Sequence, residues 1–146
     1  WSQHLIESLL TPEAIEANQQ ELLNHPSLGL LVPAGCLMPM SLTVHKNIDH
    51  LKKLLWKSSI KGAQALQQCF IAGSMFTGRI QTFDFINKNV IMDLLNEAEK
   101  GQTDGTMSHA LERWLSIMTI NEGWHIKEKE KCIKPPIPGF GYRMIH

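Results

Sequence analysis

Strong charge of either sign is missing from this chain. Its 146 residues carry 14 basic and 14 acidic side chains, with no formal net charge at neutral pH. A nucleic-acid partner leaves a basic excess, so none is expected. Cysteine is scarce. Cys36, Cys69 and Cys132 are odd in number and widely spaced, with no CxxC pair. A disulfide framework and a structural zinc site are therefore not expected, and reduced thiols in an intracellular protein are. His45 and His50 stand five apart, off one helix face, so no metal is expected there either. No apolar run approaches the roughly 20 residues that span a bilayer, so no membrane span is expected. Sustained period-two alternation is also missing, which argues against strands. The chain begins with Trp1 rather than Met. That predicts a processed product, or part of a longer one, with any targeting segment already gone.

What is present reads as helices joined by Pro/Gly loops in one domain over 1–146. Thr11-Pro12-Glu13 starts a helix: the threonine hydroxyl caps a free N–H, and proline at the first helical position loses nothing. This helix should end near Asn24, before Pro26. Leu28 to Met40 is apolar but broken by Gly29, Pro33, Gly35 and Pro39, and reads as a buried connection. Ser41 or Thr43 caps a predicted helix to about Trp56. Gly62 to Met75, rich in small residues, predicts a helix with a close neighbour. Apolar spacing from Ile80 to Leu95 predicts another, from Arg79 to Lys100 and capped by Gly101. Thr106 or Ser108 starts a last helix to about Ile120, with Trp114 inward. Lys127 to Lys134 alternates in charge and reads as solvated. Trp56, Trp114 and Trp124 are expected as core or interface anchors. Cys69 is expected in an apolar helix, and Cys36 is a nucleophile candidate only beside a base. Arg79, beside Gly78 at a predicted helix start, is placed either to hold an anion or to form a surface ion pair.

The tail Pro138-Gly139-Phe140-Gly141-Tyr142-Arg143 resembles the "PGFGHR" segment of citrate synthases and citryl-CoA lyases. Weaker similarities precede it in order: Leu10-Thr11-Pro12-Glu13, then Gly35 to Thr43, then Gly62-Ala63, Ala72-Gly73 and Thr77-Gly78. Together they span essentially the whole chain. The resemblance implies an all-α, citrate-synthase-like helical domain with long Pro/Gly loops, incomplete relative to the family. It also implies a CoA thioester as ligand, with no resident cofactor and no metal.

The family's aspartate-histidine pair falls here on Pro33 and Ala34, and its histidines in the two later motifs fall on Phe76 and Tyr142. Phenylalanine offers no donor, and a phenol near pKa 10 does not cycle protons at neutral pH. The family's catalytic aspartate lies beyond the tail. The resemblance thus implies a degenerate site, with Tyr142 as its only catalytic remnant and Arg79, Gly139, Gly141 and Arg143 as binding candidates. The expected role is a structural, assembly or regulatory subunit, in a homo-oligomer or a larger complex and in a mitochondrial or cytoplasmic setting. One alternative is an active CoA-thioester lyase or synthase completed by another segment or chain. Another is an unrelated helical interaction module.

Overall fold

The fold mixes strands with helices. The computed structural model describes residues 2–88 and 104–129. Helices α1 (Ser2–Leu9) and α2 (Pro12–Asn24) lead into strand β1 (Leu28–Val32). Strand β2 (Leu37–Pro39) and helices α3 (Met40–Thr43), α4 (Ile48–Lys57) and α5 (Gly62–Ala65) follow. Then come β3 (Cys69–Ile71), β4 (Thr77–Gly78), α6 (Asp84–Lys88), α7 (Met107–Asn121) and β5 (His125–Glu128).

The strands form two sheets. One has the order β4-β1-β5, with β1 antiparallel to β4 and parallel to β5. The other pairs β2 with β3, setting Leu37 opposite Ile71 and Pro39 opposite Cys69. Every residue of β1 is buried. Leu30 and Val32 meet Leu5, Cys36 and Ile71 in one core, while Leu28 and Leu31 meet Leu22 of α2 in another. A register shift between Leu28 and Leu30 puts Leu28 on the α2 side with Leu31. A larger core joins α4 to α7 through Leu51, Leu54, Trp114 and Ile117. There Phe85 meets Trp114 edge to face at 5.3 Å.

These sheets overturn the all-α expectation. Leu28–Met40, read as a connection, contains β1 and β2. Gly62–Met75, read as one helix, contains a four-residue helix and then β3, so Cys69 lies on a strand. Residues 125–128, partly read as solvated charge, form β5. A strand buried on both faces shows no polar alternation, so LGLLV carries no period-two signal. The all-α frame that the citrate-synthase resemblance implied is therefore not the frame of this chain.

Local capping chemistry held where it was specific. Thr11 caps α2 by accepting the Ala14 N–H at 3.2 Å, with Pro12 in the first turn. Thr106 caps α7 by accepting the His109 N–H at 3.4 Å. Neither Ser41 nor Thr43 caps α4. That stretch breaks into α3, a 3-10 turn at His45–Asn47 and α4. The helix expected from Arg79 appears as a 3-10 turn, Ile80–Phe83, followed by α6, and its continuation to Gly101 lies outside the described residues. Trp114 is buried, whereas Trp56, expected as an anchor, is 82% exposed. Among the described residues no helix is long and apolar enough to cross a membrane.

Candidate functional site

Two carboxylates shifted from their ordinary values, Asp104 and Glu112, lie at the start of α7. Asp104 and Gly105 lead into the Thr106 cap. Gly105 takes a left-handed φ of 83°, which bends the chain into the helix. The fully buried Asn47 holds this corner from both ends of its amide. Its Nδ2 donates to Asp104 Oδ1 at 2.6 Å, and its Oδ1 accepts the Gly105 N–H at 3.0 Å.

One helical turn further, His109, Glu112 and Arg113 share a face through their three- and four-residue spacing. Glu112 Oε1 accepts the Gly73 N–H at 2.5 Å. Its Oε2 meets Arg113 Nη1 at 3.3 Å, and the two side chains are only 10% and 4% exposed. Arg113 Nη1 also donates to His109 O at 2.7 Å, and the guanidinium lies 4.4 Å from the Phe70 ring centroid. Below them, Ser116 Oγ accepts the Ile71 N–H at 3.0 Å, which locks α7 onto β3. The turn after β3 is tight: Gly73 and Ser74 both take positive φ, 82° and 52°. A non-glycine residue there stores strain, a feature that clusters at functional sites.

The two carboxylates are pushed in opposite directions. Burial raises Glu112 above the usual glutamate range, against the Gly73 N–H and the positive Arg113 and His109, and the negative Asp104 adds to the rise. Burial also pulls Asp104 upward. There the Asn47 and Gly105 hydrogen bonds, with Arg113 and His109, prevail and hold it below the usual aspartate range. Opposed shifts of this kind arise in structural ion-pair networks and also where one acid stays charged while another transfers a proton. The Thr106 hydroxyl sits 2.6 Å from His109 Nδ1 at the same corner.

The residues expected from sequence lie elsewhere. Arg79 turns to backbone carbonyls: its Nε donates to Leu28 O at 3.0 Å, and its Nη2 donates to Leu22 O and to His25 O, the latter at 3.3 Å. It closes the C-terminal end of α2. Phe76 stacks on Phe83 with centroids 5.6 Å apart. Ala34 accepts a contact from His4 Nε2 at 3.0 Å through its carbonyl. Cys36 is buried, and burial followed by the nearby Glu128 charge raises its thiol, the reverse of an activated nucleophile. Gly139, Gly141, Tyr142 and Arg143 lie outside the described residues. Among the described residues no group of three or more His, Cys, Asp or Glu could hold a metal.

Sequence reasoning missed Asp104, Glu112 and Arg113. The available signal was a capped acidic turn, Asp104-Gly105-Thr106, together with the small-residue run at Ala72-Gly73-Ser74.

No protein-family model matches the chain. No solved structure matches it either. Two curated proteins from strains of Xanthomonas campestris pv. campestris, both named "Uncharacterized protein WxcX", are 26% identical over 133 residues. The match covers 91% of this chain and 19% of theirs, so the chain spans about a fifth of the length of these relatives. They are bacterial, and they lend nothing to the mitochondrial or CoA expectations.

Proposed function

We propose that this chain carries a proton-transfer site of a larger enzyme. The observation behind this reading is the geometry at the start of α7, where the nearly buried Glu112 lies between the Gly73 N–H and Arg113 while Asp104 is held by Asn47. A raised carboxyl suits general acid–base work near neutral pH. In its ionised form Glu112 accepts a proton, and as the protonated acid it returns one. The Gly73 N–H and Arg113 orient its two oxygens, and Asp104 stays charged as a hydrogen-bond acceptor.

Glu112→Gln in the full-length natural polypeptide is expected to lower turnover about 10²–10⁴-fold while the fold, read by circular dichroism, is kept. Unchanged turnover would overturn the reading. A second reading keeps the structural role within a larger complex. It is favoured by the engagement of both Glu112 oxygens, which pins α7 to the β3 turn. In that case Glu112→Gln lowers the melting temperature and leaves turnover alone.

A further inference from the structure

The zero net charge conceals a separation of charge along the chain. Residues 1–45 carry Glu7, Glu13, Glu16 and Glu21 and no lysine or arginine, whereas residues 46–61 carry five lysines against Asp49 alone. Helix α4 lies at the centre of that basic segment. Its Leu51, Leu54 and Leu55 are buried in the core with Trp114. The opposite face presents Lys52, Lys53 and Lys57 to solvent, and Lys46 and Lys61 are exposed just beyond its two ends. Among them stands Trp56, a large apolar ring with 82% of its surface exposed. Lys52 and Lys53 precede it by four and three residues, so all three share one face of the helix. Asp49 sits on the same face, and its 3.6 Å pair with Lys52 is exposed on both sides and therefore weak.

We propose that this face of α4 docks on the surface of an anionic lipid bilayer. The lysines meet the acidic headgroups, and the Trp56 ring enters the headgroup layer, where an indole buries its apolar body and keeps its N–H among polar groups. The same field repels the acidic first segment, so the separation of charge selects which face docks. Residues 46–61 contain no arginine, the side chain suited to forked recognition of a fixed carboxylate or phosphate. Lysine is depleted at protein interfaces, whereas a laterally mobile lipid surface asks only for charge density. Single-stranded nucleic acid calls for a basic groove with successive stacking rings. Here a convex helix face carries one such ring, Trp56.

The test sediments the full-length natural polypeptide with vesicles of phosphatidylcholine alone and with vesicles that also contain phosphatidylserine. The expected result is binding that requires phosphatidylserine and weakens as salt rises. Each lysine near such a surface contributes about fivefold in affinity, so Lys52→Gln with Lys53→Gln should weaken binding about 25-fold. The circular dichroism of this double variant should match the parent, because both side chains are exposed. Trp56→Ala should also weaken binding, with the salt dependence kept. Equal binding to both kinds of vesicle, or binding unchanged by the double substitution, would overturn the proposal. A parent that ignores the vesicles but binds an oligonucleotide or itself through these lysines would overturn it equally.

Discussion

Glu112 and Gly73 stand 39 residues apart, yet the Glu112 carboxylate takes the Gly73 N–H at 2.5 Å and so joins the first turns of α7 to the turn after β3. Arg113 completes the arrangement from the next position, with 4% of its side chain exposed. Loss of the glutamate leaves a buried cation and an orphaned amide.

Glu112→Ala is therefore expected to cost about 3 kcal/mol in urea unfolding, the range for breaking a buried pair by removing one partner. Glu112→Gln should cost less, because its amide oxygen still accepts from Gly73. The pH dependence has a definite sign. The folded carboxyl is raised above its ordinary value of 4.5. Its contribution is fully present below that value and is lost as pH rises through the folded value. The stability gap between parent and Glu112→Gln should therefore shift against the parent as pH rises above 4.5. A gap that is flat with pH would contradict the burial argument.

Asn47 makes the opposite case. Asn47→Ala strips partners from Asp104 and Gly105 at once, at an expected cost of about 2 kcal/mol for the groups left unsatisfied. Asp104, held below its ordinary 3.8, gives stability that is present above that value and lost as pH falls through its folded value. In the Asn47→Ala variant that acid-side loss should shrink. Thermal melts of parent and variant between about pH 2 and 5 read the difference.

Arg79→Ala should destabilise by about 2 kcal/mol, because three carbonyls at the end of α2 and the start of β1 lose a charged donor. Arg79→Lys should recover only part of this, since an ammonium cannot reproduce the planar fork. Sulfate or phosphate should raise the melting temperature of parent and variant equally. A phosphate-dependent gain confined to the parent would restore the anion-binding expectation.

Glu128 grips the turn between β1 and β2, accepting the Gly35 N–H at 2.6 Å and the Leu37 N–H at 3.2 Å. Its charge is only the second cause of the raised Cys36 thiol, after burial. Glu128→Gln should therefore leave Cys36 alkylation by iodoacetamide slow in the folded chain at pH 8. Rapid labelling of Cys36 with the fold intact would show that charge, rather than burial, protects the thiol.

What could be read without coordinates was local. Thr11-Pro12 and Thr106 announced α2 and α7 because a cap and its helix lie within four residues of each other. The burial of Trp114 followed from apolar spacing on the same helix. The strands escaped because β1 is buried on both faces and because β2, β3 and β4 are three residues or fewer. Such segments carry no periodic signal of their own.

The residues of the chain by themselves determined where α2 and α7 begin and which turn residues are small. Only the tertiary structure decided that Arg79 caps a helix, that Trp56 faces solvent, and that Glu112 meets Gly73. Capping is governed by the nearest backbone groups, which sequence order already supplies. Burial and the shift of a carboxyl depend on atoms brought together from distant segments, and the pairing of β1 with β5 and of α7 with β3 creates those neighbours.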